Sequence, residues 1–174
     1  MKYIVRFFVI TSLLFAFKYS HADNLIYYIN MDKILNESKA GITATKALTK
    51  QHKANIKYFK ATEDTLKKEE KNLLAKKNVM KEEEFNNQIK TLRNQLKQYR
   101  EKRREKLNEL SEKKDKAREI ILEAVQSILI DYSKQNPVSL IIDKKNIIVG
   151  KSDLEITGII MDELNKKLPS VKLN

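Results

Sequence analysis

The chain has 174 residues, a formal net charge of +12 and no cysteine. This length fits one domain, with room for an extended appendage. The lack of cysteine excludes a disulfide framework, a cysteine-ligated zinc site and a thiol nucleophile, and three glycines in total leave no glycine-rich phosphate loop.

The N-terminal segment has the pattern of a secretory signal peptide. Lys2 and Arg6 provide a basic start, and residues 7–17 form an apolar run. Ser20 and Ala22 place small residues three and one positions before a cleavage site at Asp23. Because the run is shorter than the ~20 residues that cross a bilayer, we expect residues 1–22 to be removed from a soluble mature protein.

The mature chain is predicted to begin with a strand. Residues 25–29 are rich in β-branched and aromatic side chains and are bounded by Asn24 and Asn30, which predicts a short buried strand at 25–30. Asp32 is the expected N-cap of the helix that follows. Gly41 lies inside that helical pattern and indicates close packing or a slight bend.

A long basic helical segment follows. Residues 42–136 contain no glycine and no proline, which would cost about 1 and 3 kcal/mol in a helix interior. Apolar residues recur at intervals near 3.5, the repeat of a coiled coil. This seam is interrupted by charged residues and comprises Ile56, Phe59, Leu66, Leu73, Ile89, Leu92, Leu96, Tyr99, Arg103, Leu107, Leu110, Lys114, Ala117, Ile121, Ala124 and Ile128.

The segment is predicted to fold back on itself, with a tip at residues 78–82. Lys76 and Lys77 suit a helix C-terminus, Asn78 tolerates a left-handed cap, and three glutamates from Glu82 suit a new N-terminus. The two halves of the seam then meet, with paired residue numbers summing to about 162. An unbroken rod, about 140 Å long, is the alternative.

Beyond this arm the helix carries a second apolar face, formed by Leu122, Val125, Leu129 and Tyr132. A two-helix hairpin covers only one face of each helix. We therefore expect the second face to dock on the strands and on other subunits.

The C-terminal part returns to short elements. Asn136 and Pro137 end the helix, and strands are predicted at 138–143 and 147–150, joined as a hairpin by polar residues. Ser152 and Glu155 have capping-box spacing. A closing helix at 155–167 has an apolar face made of Ile156, Ile159, Ile160 and Leu164.

These elements predict an α+β protein with a long helical hairpin on a small head. The arm spans residues 49–117, and the head combines residues 23–48 and 118–174. Strands on both sides of the arm can share a sheet only if the arm returns. Because so small a core commonly needs oligomerisation, we predict a homo-oligomer.

The charge lies on the arm, where residues 50–118 contain 22 basic and 12 acidic side chains. Such a stretch makes a nucleic-acid-binding protein one alternative. The export signal, the interleaved glutamates and the lack of aromatic platforms on strands argue against it, so we expect any nucleic-acid affinity to be incidental. A structural coiled-coil protein of the envelope is the other alternative.

Catalysis has little support in the sequence. His52 stands alone on the arm, and the acidic clusters at residues 69–70 and 82–84 are flanked by lysines on helix surfaces. We expect no enzymatic activity, no cofactor and no metal.

The chain resembles the Skp/OmpH family of periplasmic chaperones over essentially its whole mature length. The resemblance rests on the segment 28–31, the helix with Lys39 and Gly41, the basic arm, the segment 138–143 and Ile156-Thr157 near the end. Glu155 replaces the aspartate usual in the family, and the family's Gly/Ser-type arm tip is missing.

The resemblance implies a homotrimer in which strands of three subunits form a β-barrel-like core and three hairpins surround a cavity. It implies an ATP-independent periplasmic holdase, which binds unfolded outer-membrane proteins and prevents their aggregation. An anionic membrane surface or lipopolysaccharide is a further candidate partner.

On this basis two sets of residues are expected to carry function. Client-binding residues on the arm are Phe59, Phe85, Lys90, Arg93, Lys97, Tyr99, Arg100, Arg103 and Arg104. The oligomer core is expected to include Ile26, Tyr28, Leu122, Val125, Leu129, Leu140 and Ile142.

Overall fold

A computed structural model describes residues 25–173, so the expected signal peptide lies outside the described residues. In chain order, the elements are β1 (Leu25–Ile29), α1 (Met31–Glu37), α2 (Lys39–Ala75), α3 (Glu82–Gln135), β2 (Val138–Asp143) and α4 (Thr157–Lys167). Short 3-10 turns at Lys144–Asn146 and Ser152–Leu154 lie between β2 and α4. The fold is thus mostly helical with one small strand pair, as expected of the α+β class.

The two long helices form a hairpin. Across α2 and α3, Tyr99 Oη donates to Glu63 Oε2 at 3.4 Å, and Gln51 Nε2 donates to Glu109 Oε1 at 3.3 Å. These pairs sum to 162 and 160, close to the pairing that the seams predict. No helix in residues 25–173 is long and apolar enough to span a membrane.

The turn between the arm helices differs in detail from the prediction. No non-glycine residue between 25 and 173 has a positive φ, so the left-handed cap predicted at Asn78 is wrong. Lys76 ends α2 in the right-handed helical region, and the N–H of Met80 donates to the Lys76 carbonyl at 3.1 Å. The chain therefore reverses through right-handed turns and re-enters helix at Glu82.

The first helix is capped by a different residue from the one predicted. Asn30, and not Asp32, caps α1, because its Oδ1 accepts from the N–H of Lys33 at 2.9 Å. Ser38 then interrupts the helical path with an extended conformation and caps α2, accepting from the N–H of Gly41 at 3.1 Å. The helical pattern is thus divided between α1 and α2.

Gly41 permits the close approach of α1 and α2. A methyl group there would overlap the backbone carbonyl of Leu35, whereas a methyl group on Gly158 of α4 would meet nothing within 4 Å. We expect Gly41→Ala to destabilise the protein by about 1–3 kcal/mol through overpacking. Gly158→Ala should stabilise it by up to about 1 kcal/mol through helix propensity. Urea unfolding at matched concentrations checks both signs, and equal effects of the two substitutions would contradict this account.

The two strands pair in parallel, with Ile26 opposite Leu140 and Tyr28 opposite Ile142. A third strand at 147–150 and its hairpin are not formed, so that prediction is wrong. Asp143 instead caps a 3-10 turn, and Tyr28 pairs with Glu155 while its carbonyl accepts from the N–H of Ile156 at 3.0 Å. The second edge of β1 is therefore occupied by the segment that leads into α4.

The predicted capping box at Ser152 and Glu155 is also wrong, since Ile156 precedes α4 without a side-chain cap. The Glu155 carboxylate accepts from Thr157 Oγ1 and pairs with Lys144 Nζ, both at 2.9 Å. Thr157 Oγ1 in turn accepts from the N–H of Asn30 at 2.8 Å. This network fastens the start of α4 to the end of β1.

Two hydrophobic clusters hold the chain together. The head cluster joins β1, α1, α2, α3 and α4 and includes Ile29, Ile34, Ala40, Ala44, Ala117, Ile121, Val125, Ile128, Ile156, Ile160, Leu164 and Val171. Ile159, which was predicted on the apolar face of the closing helix, is exposed. The arm cluster consists of Leu66, Leu73 and Leu92. Between the clusters, Phe59 is the only buried hydrophobic residue on either helix. The middle of the arm is therefore thinly packed.

Candidate functional site

Three aromatic rings meet at the middle of the arm. Phe59 and Tyr99 contact each other across the two helices, with ring centroids 5.9 Å apart and planes at 76°. Tyr58 lies edge-on to Phe59 at 5.2 Å and is 54% exposed. Phe59 is buried and supports this contact, so Tyr58 is the ring most open to a ligand. Tyr58 is not among the residues predicted from the sequence, although its position beside the seam residue Phe59 is a usable signal.

Open grooves flank the aromatic pair on both sides. The larger, about 570 Å³, is lined by residues including Tyr58, Thr62, Thr65, Gln95, Gln98 and Lys102. The smaller, about 290 Å³, is lined by residues including His52, Asn55, Lys60, Arg103, Lys106 and Leu107. Phe59 and Tyr99 are the only residues that line both grooves. The hairpin thus presents two chemically different sides.

A line of cations runs along α3. Lys90, Arg93, Lys97, Arg100 and Arg104 follow each other at steps of three and four residues, which places them along one face of the helix. All are exposed, and Glu101 is the only acidic residue in residues 86–104. We call these five residues the basic stripe.

The basic stripe contains no ion pair within the described part of the chain. Like charges three and four residues apart repel each other on a helix. The stripe therefore opposes helix stability slightly, and its positive field is open to an external anion.

A few other cations of the arm are paired with neighbouring carboxylates. Lys67 Nζ lies 2.6 Å from Glu63, while Lys106 and Lys113 lie 2.5 and 3.1 Å from Glu109. Hydrogen bonds from Lys106 and Lys113 lower the pKa of Glu109 to about 2. The charges of these lysines are thus partly neutralised, whereas those of the basic stripe are not.

The ion pairs of Glu109 should make stability depend on pH. Because the pKa is lowered from 4.5 to about 2 in the folded chain, the ionised carboxylate stabilises the fold above pH 4.5. This contribution is lost as the pH falls to about 2. We expect Glu109→Gln to lower the melting temperature at neutral pH and to have little effect at pH 2. The control is Glu112→Gln, which removes no ion pair; the same pH dependence in both variants would contradict the assignment.

The remaining predicted client-binding residues lie apart from the aromatic rings. Phe85 is half-buried against the arm cluster near the tip. At the tip itself, Leu74 and Val79 are 55% and 85% exposed, although the sequence analysis did not select them. Arg103 lines the smaller groove. The arm therefore displays apolar and cationic groups over its length and does not gather them at one point.

The residues predicted for the oligomer core fall into two groups. Ile26, Tyr28, Leu140 and Ile142 alternate onto the face of the sheet opposite Ile29, and Ile26 and Leu140 are about half exposed. Tyr28 is buried, with Gly150 and the Lys144 ammonium close to its ring. On α3, Val125 is buried within the head cluster, while Leu122 and Leu129 are half-buried. Of these residues, Ile26 and Leu140 on the outer face of the sheet are the most exposed.

His52 is exposed on α2 and lines the smaller groove. Within residues 25–173, no group of three or more histidine, aspartate or glutamate side chains is placed to hold a metal ion.

The fold and surface define a protein with a compact α+β head and a basic coiled-coil arm. The chain belongs to the OmpH-like outer membrane protein family, whose sequence model matches residues 26–164. This confirms the resemblance inferred from the sequence. No curated protein sequence is significantly similar to the chain.

Among solved structures, the chain is similar to a candidate OmpH-like outer membrane chaperone from Caulobacter crescentus CB15. The TM-score is 0.79 at 15% sequence identity, with 86% of this chain and 88% of that chain covered. At this identity the similarity establishes the shared fold.

Proposed function

We propose that the protein is an ATP-independent holdase of the periplasm, which binds unfolded outer-membrane proteins and prevents their aggregation in transit. The observation that carries this proposal is the combination of an unpaired basic stripe with open grooves and exposed apolar side chains on one extended arm. Membership of the OmpH-like family and the chaperone assignment of the structural neighbour support it. The expected signal peptide supports the periplasmic location.

The physical basis of capture is long-range attraction followed by weak contact. Screened electrostatic attraction has a reach of about 8 Å at physiological salt and raises the rate of encounter with an acidic client. Exposed groups such as Tyr58 and Val79 then provide apolar contacts that form and break easily. Such a surface suits many unfolded sequences and requires neither a cofactor nor catalysis.

We further propose that the protein forms a homotrimer through its head. The number of three subunits rests on the family resemblance. The outer face of the sheet supports an interface, because Ile26 and Leu140 are adjacent and half exposed. The neighbouring segment adds Ile148 and Val149, which are 100% and 89% exposed. Exposed apolar side chains of this kind favour burial against another subunit.

Leu140→Asp should break this assembly. The side chain lies on the outer face of the sheet, so the charge would be buried in the interface but not in the subunit. We expect sedimentation to change from an oligomer to a folded monomer. Ile56→Asp, a similarly exposed position on the arm, is the control and should leave the oligomer intact. An unchanged oligomer with Leu140→Asp would exclude this face as the interface.

The holdase activity is tested by dilution of a urea-unfolded outer-membrane porin into buffer with and without the protein. We expect light scattering from the porin to be suppressed at near-stoichiometric amounts. An acidic soluble protein of similar size, used in place of the chaperone, should not suppress it. Undiminished aggregation in the presence of the full chain would refute the proposed function.

The basic stripe also fits an anionic membrane surface or lipopolysaccharide as an additional partner, since phosphate groups would pair with its cations. Nucleic-acid binding by the same charges would be incidental and would weaken steeply with salt.

A further inference from the structure

Two of the grooves adjoin each other along one side of the arm. The larger groove and a neighbouring groove of about 370 Å³ share Glu69 and Gln95. Together they follow α2 from Tyr58 to Lys76, a distance of about 27 Å at the helical rise. That length matches about eight residues of extended polypeptide. We call these two adjoining grooves together the amide groove.

The amide groove is nearly neutral on an otherwise basic arm. Its charged lining residues are Glu69, Lys76 and Lys102. Uncharged hydrogen-bonding side chains provide most of its polar lining, namely Thr62, Thr65, Asn72, Gln88, Thr91, Gln95 and Gln98. None of the five residues of the basic stripe lines it. The amide groove and the basic stripe therefore lie on separate surfaces of the arm.

These polar side chains have hydrogen-bonding capacity to spare. The hydroxyls of Thr62 and Thr65 donate to carbonyls one turn earlier at 3.0 Å, which leaves their oxygens able to accept. The amides of Asn72, Gln95 and Gln98 form no hydrogen bond to another described residue. A side-chain amide both donates and accepts.

This chemistry complements the main chain of an extended polypeptide. Each residue of an unfolded chain presents one N–H and one C=O whatever its side chain, so an amide-lined track binds without regard to sequence. A polyanion would instead favour the basic stripe over a neutral groove. The exposed Tyr58 ring at one end offers an apolar surface for a client side chain.

We propose that the amide groove holds the main chain of an extended, unfolded polypeptide, and that the basic stripe steers the client without lying in the contact. This proposal rests on the proposed holdase function. The proposal separates residues that attract the client from residues that contact it. Long-range attraction is assigned to Lys90, Arg93, Lys97, Arg100 and Arg104. Contact is assigned to side chains that composition and charge do not single out, above all Gln95 and Gln98.

Site-specific photo-crosslinking tests the location. The full chain would carry p-benzoylphenylalanine at Thr65, Gln95 or Gln98 in the groove, or at Asn94 or Lys97 outside it, and would be mixed with urea-unfolded porin. We expect crosslinking yields at least about three-fold higher from the groove positions. Equal yields from all positions, or higher yields from Lys97, would overturn the proposal.

A peptide pair tests recognition of the main chain. The probes are a neutral, unstructured twelve-residue peptide and the same peptide with alternate amides N-methylated. Methylation should weaken binding to the native chain about five-fold or more. In Gln95→Ala/Gln98→Ala this ratio should fall towards one, while Asn86→Ala/Asn94→Ala, outside the groove, should retain it. An unchanged ratio in the groove variant would refute main-chain recognition.

The two levels of the proposal fail in different ways. If the full chain does not suppress porin aggregation, the holdase function itself is wrong. If suppression is retained while crosslinks are spread evenly, only the amide groove is wrong.

Discussion

Removal of residues 60–100, with a short Gly/Ser turn joining Phe59 to Glu101, should abolish the suppression of porin aggregation and leave the head folded. The head cluster uses residues from 29 to 44 and from 117 to 171, so the deletion does not remove any of it. The deletion does remove the amide groove and most of the basic stripe. Light scattering measures the loss of activity, and cooperative urea unfolding measures the retained head.

The matched control changes only the turn, by replacement of Lys77 and Asn78 with glycine and serine. Both helices, the residues that line the groove and the exposed Val79 persist in this variant, so we expect activity close to that of the native chain. A truncated protein that still holds porin in solution would show that the head, and not the arm, carries the activity.

Charge reversal on the arm should slow client capture most strongly at low salt. Replacement of Lys97, Arg100, Arg103 and Arg104 with glutamate lowers the net charge of residues 50–118 from +10 to +2 and makes residues 86–104 net negative, which removes most of the attraction for an acidic client. Electrostatic steering changes association rates by about 10- to 1,000-fold and is screened by salt. Stopped-flow mixing with labelled, unfolded porin should therefore give at least a ten-fold slower association at low salt and a smaller difference at high salt.

A head variant with the same change of net charge provides the control. Reversal of Lys134, Lys151, Lys166 and Lys172 to glutamate places the new charges on and around the head, away from the basic stripe. We expect a smaller effect on association. If both variants slow capture equally, or if the arm variant does so equally at all salt concentrations, steering by the basic stripe is excluded.

The long elements were predictable because their patterns repeat over many residues. The seam and the absence of glycine and proline predict the arm helices, and the cluster of lysines and glutamates near Asn78 predicts their turn to within a few residues. The strand predicted at 147–150 does not form, although its residues favour β-structure, because neighbouring residues make competing interactions. Asp143 begins a 3-10 turn, and the free edge of β1 is taken by Glu155.

Local signals also proved ambiguous at helix ends, where several residues compete for one role. Asn30 caps α1 instead of Asp32 because it directly follows the strand with extended geometry. The Glu155 carboxylate accepts a hydrogen bond from Thr157 and pairs with Lys144, so it does not form a capping box. Such outcomes depend on contacts more than 100 residues apart in sequence, for example that of Asn30 with Thr157.

The candidate site was predictable in its charge but not in its contact surface. The cations of the basic stripe are recognisable from sequence, because helical spacing alone aligns them. The amide groove depends on the rotation of α2 against α3, which brings Thr65 and Gln95 to the same side. Likewise, Val125 belongs to an apolar face in sequence, and only the packing of the head shows that its own chain buries it.

Energy transfer from chaperone to client gives the most direct test of the claim that the arm holds the unfolded protein. Because the native chain contains no cysteine, single cysteines at Glu101 on the arm and at Lys172 in the head can carry a donor dye. Unfolded porin carries the acceptor. We predict efficient transfer from the arm donor and little transfer from the head donor in the complex, whereas stronger transfer from the head would contradict the account.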